Sequence, residues 1–411
     1  MALNNYIRFR DAINMVKSNI EAQEAGMISH IPVLAGKPGI GKTASIEELA
    51  YSLGHDFIPI QLSAVFPEEF SGIPDFMNAP EHLAERWSIT NSPDAKFTKW
   101  SIPELVTVCN TAALRAKERG KGVVVLFDDI HAADPTLERY MFNLFLQKRI
   151  GHYQLEDNVY IVGAMNDSSA AGFNGFNAAV LDRMAVYSVE FDFDYWYDQI
   201  GGSLHPMIAA FLKQYHQQFM QSEESPKEVT PSPRTWTEAS RMFTHMDNKG
   251  YFKDEKIAQE KMYMIVNSLV GAKAASKFIE FKIIFDKYNF PEMIRKRDIH
   301  KIGDDVVDEI MYAMLVKYVN SKQDAEYVYE MVKENVKRPG FVTNIIVETR
   351  NTVKAISQAK RKAKQQNMPQ TAWSKSKIAG IDHLKDLLLN SGRESKEMFE
   401  YVRIAFTDME I

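Results

Sequence analysis

Gly36-Lys37-Pro38-Gly39-Ile40-Gly41-Lys42-Thr43 fills the spacing G-x-x-x-x-G-K-[ST]. The chemistry of that spacing is a grip on a nucleoside triphosphate. Its glycines let backbone N–H groups turn inward around phosphate oxygens, and the start of a following helix adds partial positive charge. Lys42 then reaches the β- and γ-phosphates, while Thr43 offers its hydroxyl to magnesium. A second run, VVVLFDDIHAAD, sets Asp128 and Asp129 directly after an apolar stretch. The first carboxylate of such a pair helps hold magnesium and the second orients water. A third run, NVYIVGAMND, ends its apolar stretch at Asn166, whose amide suits a water or a γ-phosphate oxygen. Two arginines complete the candidates: Arg183 in Leu181-Asp182-Arg183 and Arg234 in Ser232-Pro233-Arg234. Either alone reads as a solvated surface residue.

These groups need elements to hold them. Ile31 to Leu34 reads as a short buried strand and Ala44 to Leu53 as the helix after the glycine loop. Val123 to Phe127 is β-branched and apolar, as a parallel strand buried on both faces should be. Asp128 then stands at the carboxyl end of that strand, where such sheets bind ligands. Asn158 to Ala164 and Val186 to Phe191 read as further strands. The fold class is therefore α/β, a central parallel sheet flanked by helices. Gln147 to Tyr160 alternates around a glycine and predicts a β-hairpin. Residues 64–100 are broken by Pro67, Gly72-Ile73-Pro74 and Pro93, and carry Phe66, Phe70 and Phe76 as candidate core residues.

Beyond residue 200 the periodicity is helical. Leu204 to Gln221, Thr235 to His245 and Met262 to Phe285 have helical apolar spacing. Val306, Val307, Ile310, Met311, Met314, Leu315 and Tyr318 make one apolar stripe. Asp324 to Val336 reads as helix, ended by Pro339-Gly340. Residues 352–377 hold seven basic side chains and no acidic one, clustered at Lys354, Lys360, Arg361, Lys362 and Lys364. A basic helix of this kind can grip nucleic-acid phosphates, but it has few aromatics for stacking and equally suits a solvated face or an acidic partner.

At 411 residues the chain exceeds one ordinary domain. It is 45% hydrophobic and 25% charged with a net charge of -5, ordinary for a soluble protein and unlike one coated in basic charge. The single cysteine, Cys109, forms no intrachain disulfide and reads as a buried thiol. No apolar run approaches the roughly 18 residues that span a bilayer, and no signal pattern opens the chain, so a cytoplasmic location and no membrane association are expected.

The order of these motifs resembles an AAA+ ATPase. More narrowly it resembles the MoxR-like branch, related to RavA, to magnesium chelatase ATPase subunits and to the ATPase of McrBC. The resemblance covers about residues 5–280. It makes Gly36 to Thr43 Walker A and Val123 to Asp129 Walker B. Asn166 falls at sensor 1, Arg183 at the arginine finger given to a neighbouring subunit, and Arg234 at sensor 2. It also implies a helix 2 insert at 64–100, whose phenylalanines would otherwise meet a substrate in a pore, and a pre-sensor 1 hairpin at 147–160. The domains it implies are an α/β nucleotide-binding domain at 1–200, a helical lid at 201–285 and a mainly helical extension at 286–411.

Function follows as expectation. The resemblance implies Mg2+-dependent ATP hydrolysis at the subunit boundaries of a homo-oligomeric, hexameric ring that remodels a protein partner. In that family the partner often carries a von Willebrand factor A domain, here necessarily on a separate polypeptide. A nucleic-acid motor or loader using 352–377, and an ATP-gated assembly scaffold, are the competing readings. Asp129 is the departure, because the family usually has Glu there. Free aspartic and glutamic acids are similarly basic, so reach is the issue: misplacement by about 1 Å costs on the order of 10²-fold in rate. A slow but active ATPase is expected. His131, two residues on, reads as a surface histidine at a helix start.

Overall fold

The computed structural model describes residues 6–28, 30–78, 96–151, 153–166, 178–220, 229–297, 306–365, 373–394 and 396–406. The chain divides into two units between Asp192 and Phe193.

In the first unit the strands, in chain order, are β1 (Ile7–Arg8), β2 (Ile31–Ala35), β3 (Asp56–Gln61), β4 (Pro74–Asn78), β5 (Lys96–Trp100), β6 (Val123–Asp128), β7 (Arg149–Ile150), β8 (Tyr153–Gln154), β9 (Val159–Met165) and β10 (Met184–Glu190). Six of them form one parallel sheet in the order β1-β10-β2-β9-β6-β3. β2 and β9 are buried along their whole length, and β6 is buried up to Asp128. That is why their sequences are continuous apolar runs rather than alternating ones. Val33, Val123, Val125 and Phe127 share a core with Cys109 and Ala113 of the helix Glu104–Lys117 and with Met141 and Phe145 of the helix Glu138–Gln147. Helices α1 (Phe9–Glu24) and α2 (Lys42–Ser52) contact strands of the same sheet. One polar side chain is built into this packing. Gln23 of α1 pairs its amide with both the carbonyl and the N–H of Ile161 on β9, each at 3.1 Å. The burial of Cys109 pushes its thiol up to about 12, so it is inert.

The segment read as an insert contains α3 (Pro67–Ser71) and an antiparallel pairing of β4 with β5 in which Pro74 faces Trp100. Phe70 is fully buried against Phe127 and Tyr140, whereas Phe66 is 70% exposed. The side chain of Phe76, like Pro93, lies outside the described residues. β7 and β8 pair antiparallel just ahead of β9, where the alternation predicts a hairpin.

The second unit is helical among its described residues. Its helix Pro339–Gln365 contacts Phe193–Ile200, the turn Gly201–Ser203, Val306–Ala313, the turn Met314–Tyr318, Lys375–Glu394 and Lys396–Phe406. Gly202 permits the closest approach, since a Cβ there would lie 2.0 Å from the Asn351 carbonyl oxygen. Glu348 is fully buried in this packing. Tyr197 donates its hydroxyl to Glu348 Oε1 at 2.5 Å, and Lys213 Nζ lies 3.2 Å from the same oxygen. Lys317 Nζ lies 3.5 Å from Oε2 and donates to the Gly201 carbonyl at 2.6 Å. Burial pushes the Glu348 carboxyl up, but Lys213, Lys317 and the Tyr197 hydroxyl outweigh it and hold the group below the usual range.

Two helix boundaries differ from the periodic reading. The stretch Met262 to Phe285 is not one helix: Glu255–Leu269 ends and Ala272–Phe285 begins around Gly271, whose φ of 115° suits glycine. Pro339 opens a helix rather than only closing one, because its missing N–H costs nothing in a first turn. The stripe from Ile310 to Leu315 is core, with Met311, Met314 and Leu315 fully buried, while Val306 at its start is 66% exposed.

Candidate nucleotide site

Strand order assembles the site. β2, β9 and β6 are neighbours, with Ala35 opposite Met165 and Gly163 opposite Phe127. Their carboxyl ends therefore present the glycine loop, Asn166 and Asp128 side by side, although these are far apart in the chain. β3 lies next to β6 and sets Gln61 opposite Asp128.

The loop from Gly36 to Gly41 runs from β2 into α2. Gly39 and Gly41 have φ of 77° and 101°, backbone that glycine adopts without penalty. Gly36 sits so close to β10 that a Cβ would lie 2.8 Å from the Val189 carbonyl oxygen. Lys37, Pro38 and Ile40 complete the loop, and Ile40 is buried. Lys42 is the first residue of α2, and its ammonium folds back into the loop. It donates to the carbonyls of Gly36 at 2.7 Å and Lys37 at 3.0 Å, and to Asn166 Oδ1 at 3.2 Å. Thr43 donates its hydroxyl to Asp128 Oδ2 at 2.5 Å. A hydroxyl and a carboxylate oxygen beside a phosphate loop are the hard donors that magnesium takes. No cluster of three or more His, Cys, Asp or Glu suited to a metal exists among the described residues.

Asp129 has left-handed backbone, φ 54° and ψ 39°, and starts the turn Ile130–Ala132. Its N–H donates to Asp128 Oδ1 at 2.9 Å, and Gln61 Nε2 donates to its Oδ2 at 3.3 Å. The turn is seated by Ile130 on β9, over Gly163, where a Cβ would lie 2.5 Å from Ile130 Cδ1. Seating Ile130 there carries His131 to Asn166. The Asn166 N–H donates to His131 Nδ1 at 3.2 Å, and Asn166 Nδ2 lies 3.2 Å from His131 Nε2. Burial and Lys42 lower the pKa of His131 against the opposing pull of Asp129 and Asp128. Gln61 and His131 are the two residues the motif reading did not assign to the site. Neither belongs to a local pattern, and only strand adjacency places them.

Lys42, Thr43, Asp128, Asp129 and Asn166 are thus brought together with the loop. Arg183 is placed just before β10. Its carbonyl accepts the Ile31 N–H at 3.0 Å, and its guanidinium lies over the Phe142 ring, 3.8 Å from the centroid, within cation–π range. Arg234 lies in the second unit, exposed in the first turn of the helix Pro233–Asn248. Ser232 caps that helix by accepting the Thr235 N–H at 3.2 Å.

Residues 32–188 match the family model described as ATPase family associated with various cellular activities (AAA). No curated protein matches the chain. Among solved structures, the chain is similar to the RuvB Holliday junction branch migration motor of Thermotoga maritima, at 14% identity over 81% of this chain and 89% of that one, with a TM-score of 0.35. It is also similar to C. elegans PCH-2, at 14% identity over 68% of this chain and 69% of that one, with a TM-score of 0.32. Likeness at this level carries nothing about activity. No helix among the described residues is long and apolar enough to cross a membrane. The match falls on the parallel sheet and its glycine loop, so residues 32–188 are similar to an AAA ATPase domain.

Proposed function

We propose that this protein is a MoxR-like AAA+ ATPase. In this reading it hydrolyses ATP at the subunit boundaries of a ring, hexameric in that family, and remodels a separate protein partner. The observation that carries the nucleotide chemistry is the convergence of Lys42, Thr43, Asp128 and Asn166 on one loop. Lys42 would take the β- and γ-phosphates, Thr43 and Asp128 would hold Mg2+, and Asn166 would meet the γ-phosphate or the attacking water. Bound magnesium would offset the charge of the phosphates. Asp129 would orient water from its left-handed turn, steadied by Gln61. Residues 201–285 would act as the lid, with Arg234 reaching the nucleotide of its own subunit, and 286–411 would supply docking surface.

The ring rests on the position of Arg183 in Leu181-Asp182-Arg183. In this reading the guanidinium that stacks on Phe142 swings toward a neighbour's γ-phosphate. Such arginines are worth about 10³–10⁵ in rate in nucleotide hydrolases. The basic cluster does not favour the nucleic-acid reading. Lys360, Lys362 and Lys364 are exposed, but Lys362 and Lys364 lie in the last turn of the helix Pro339–Gln365, where the helix dipole accounts for cations. Lys377 is held within the fold by the Lys317 carbonyl at 2.6 Å.

The test is ATP turnover against protein concentration, with mass measured in the same buffer. Turnover per subunit should rise with assembly, and Arg183→Ala should abolish it without dispersing the oligomer. Asp129→Glu should raise the rate about tenfold by restoring reach. An assembly that binds ATP while no variant hydrolyses it would make the protein a nucleotide-gated scaffold instead.

A further inference from the structure

His131 makes a pair of contacts with Asn166 that one neutral imidazole cannot satisfy as they stand. The Asn166 backbone N–H has one direction, and it points at Nδ1, 3.2 Å away. Nδ1 must therefore be the acceptor nitrogen, and the ring proton belongs on Nε2. Nε2 faces Asn166 Nδ2 at 3.2 Å, so two donors meet. Turning the amide over relieves the conflict: Oδ1 then accepts from Nε2–H and Nδ2 points the other way. What opposes that turn is Lys42, whose ammonium donates to Oδ1 at 3.2 Å. Lys42 and His131 thus compete for a single oxygen.

We propose that His131 is a positioning residue that sets the orientation of the Asn166 amide. The proposal rests on the reading of Asn166 as the group that meets the terminal phosphate. Without nucleotide, Lys42 holds Oδ1. When phosphates draw the Lys42 ammonium away, His131 Nε2–H captures Oδ1 and aims the Nδ2 donor at the terminal phosphate oxygen or the attacking water. With the amide the other way, a carbonyl oxygen would face a phosphate oxygen. The arrangement joins the turn after β6, which begins at Asp129, to Asn166 at the tip of β9. Ile130 over Gly163 fixes the height of that turn. Accepting the Asn166 N–H at Nδ1 requires a neutral ring, and burial lowers the His131 pKa in that direction.

The experiment uses the full chain in three forms besides wild type: His131→Leu, His131→Gln and Asn166→Ala. His131→Leu should lower kcat about tenfold, the order of effect of a misaimed catalytic donor, with KM for ATP within about twofold. His131→Gln, whose amide nitrogen can stand where Nε2 stood, should recover most of that loss. Nitrogen-15 NMR of the unsubstituted protein with a non-hydrolysable ATP analogue, using His131→Gln to assign the resonance, should give the Nε2–H tautomer. An Nδ1–H tautomer overturns the proposal regardless of how the variants fold. So does His131→Leu turnover within twofold of wild type while Asn166→Ala is impaired, an outcome that leaves the nucleotide-site reading standing. If Asn166→Ala hydrolyses ATP normally, the reading of Asn166 fails and this proposal fails with it.

Discussion

Both units bury a lysine, for opposite ends. Lys42 in the α/β unit is 7% exposed and Lys317 in the helical unit is 6% exposed. Lys42 Nζ is cradled by neutral oxygens, two carbonyls of its own loop and the Asn166 amide. Lys317 Nζ faces a buried carboxylate, Glu348, which also takes Lys213 and Tyr197. Neutral oxygens hold an ammonium in place without cancelling its charge, so a phosphate arriving later still gains by meeting it. A buried carboxylate cancels the charge and fixes the packing around it. The first arrangement is poised for a ligand and the second is finished.

The largest effect expected from this contrast is on stability. Glu348→Ala leaves Lys213 and Lys317 facing an empty buried space, and breaking such a pair costs about 3–5 kcal/mol. Urea denaturation followed by circular dichroism measures it. Removing the charges together, as Glu348→Leu with Lys317→Met, should cost less than Glu348→Ala alone, because the space stays filled and only Lys213 is left without its carboxylate. A loss under about 1 kcal/mol for Glu348→Ala would mean that the cluster is solvated in practice and the contrast is empty.

Lys42→Ala tests the other side. The substitution removes hydrogen bonds to three neutral oxygens together with the charge that had to be buried, so folding stability should change by about 1 kcal/mol or less. Affinity for a fluorescent ATP analogue should fall on the order of 10²-fold, the worth of a strong charge-assisted contact. If Lys42→Ala unfolded at the same urea concentration as Glu348→Ala, the two lysines would be doing one structural job and the comparison would fail.

The same contrast explains what was legible in the sequence. Lys42, Thr43 and Asp128 could be read because phosphate chemistry fixes residue types at short spacing, and buried parallel strands announce themselves as apolar runs. The parallel sheet and the helical back half were readable for the same local reasons. Nothing local marks Glu348. Its partner Tyr197 is 151 residues away, and Lys317 meets Gly201 across 116. His131 was legible only as a surface histidine, because its neighbour Asn166 is supplied by the adjacency of β9 and β6. Met262 to Phe285 reads as one helix because apolar spacing continues through Gly271. Only the backbone there, at φ 115°, breaks it.

The smallest expected effect comes from a lysine between the two cases. Lys377 donates to the Lys317 carbonyl at 2.6 Å and lies near the Trp373 ring. Burial, and then the charge of Lys317, pull its pKa down to about 8 from an ordinary 10.5. Between those two values the unfolded chain binds the proton that the folded chain has released, so stability rises with pH across the window. Below about 8 both states are protonated and the whole penalty for burying the charge is present. Relief between pH 8 and 10 should be on the order of 1–2 kcal/mol after allowance for partial solvation. Lys377→Met should remove that slope, measured as the difference between variant and wild-type urea midpoints at each pH. Parallel profiles would place Lys377 in water, and the helical unit would then hold its buried charge at Glu348 and Lys317 without a third cation nearby.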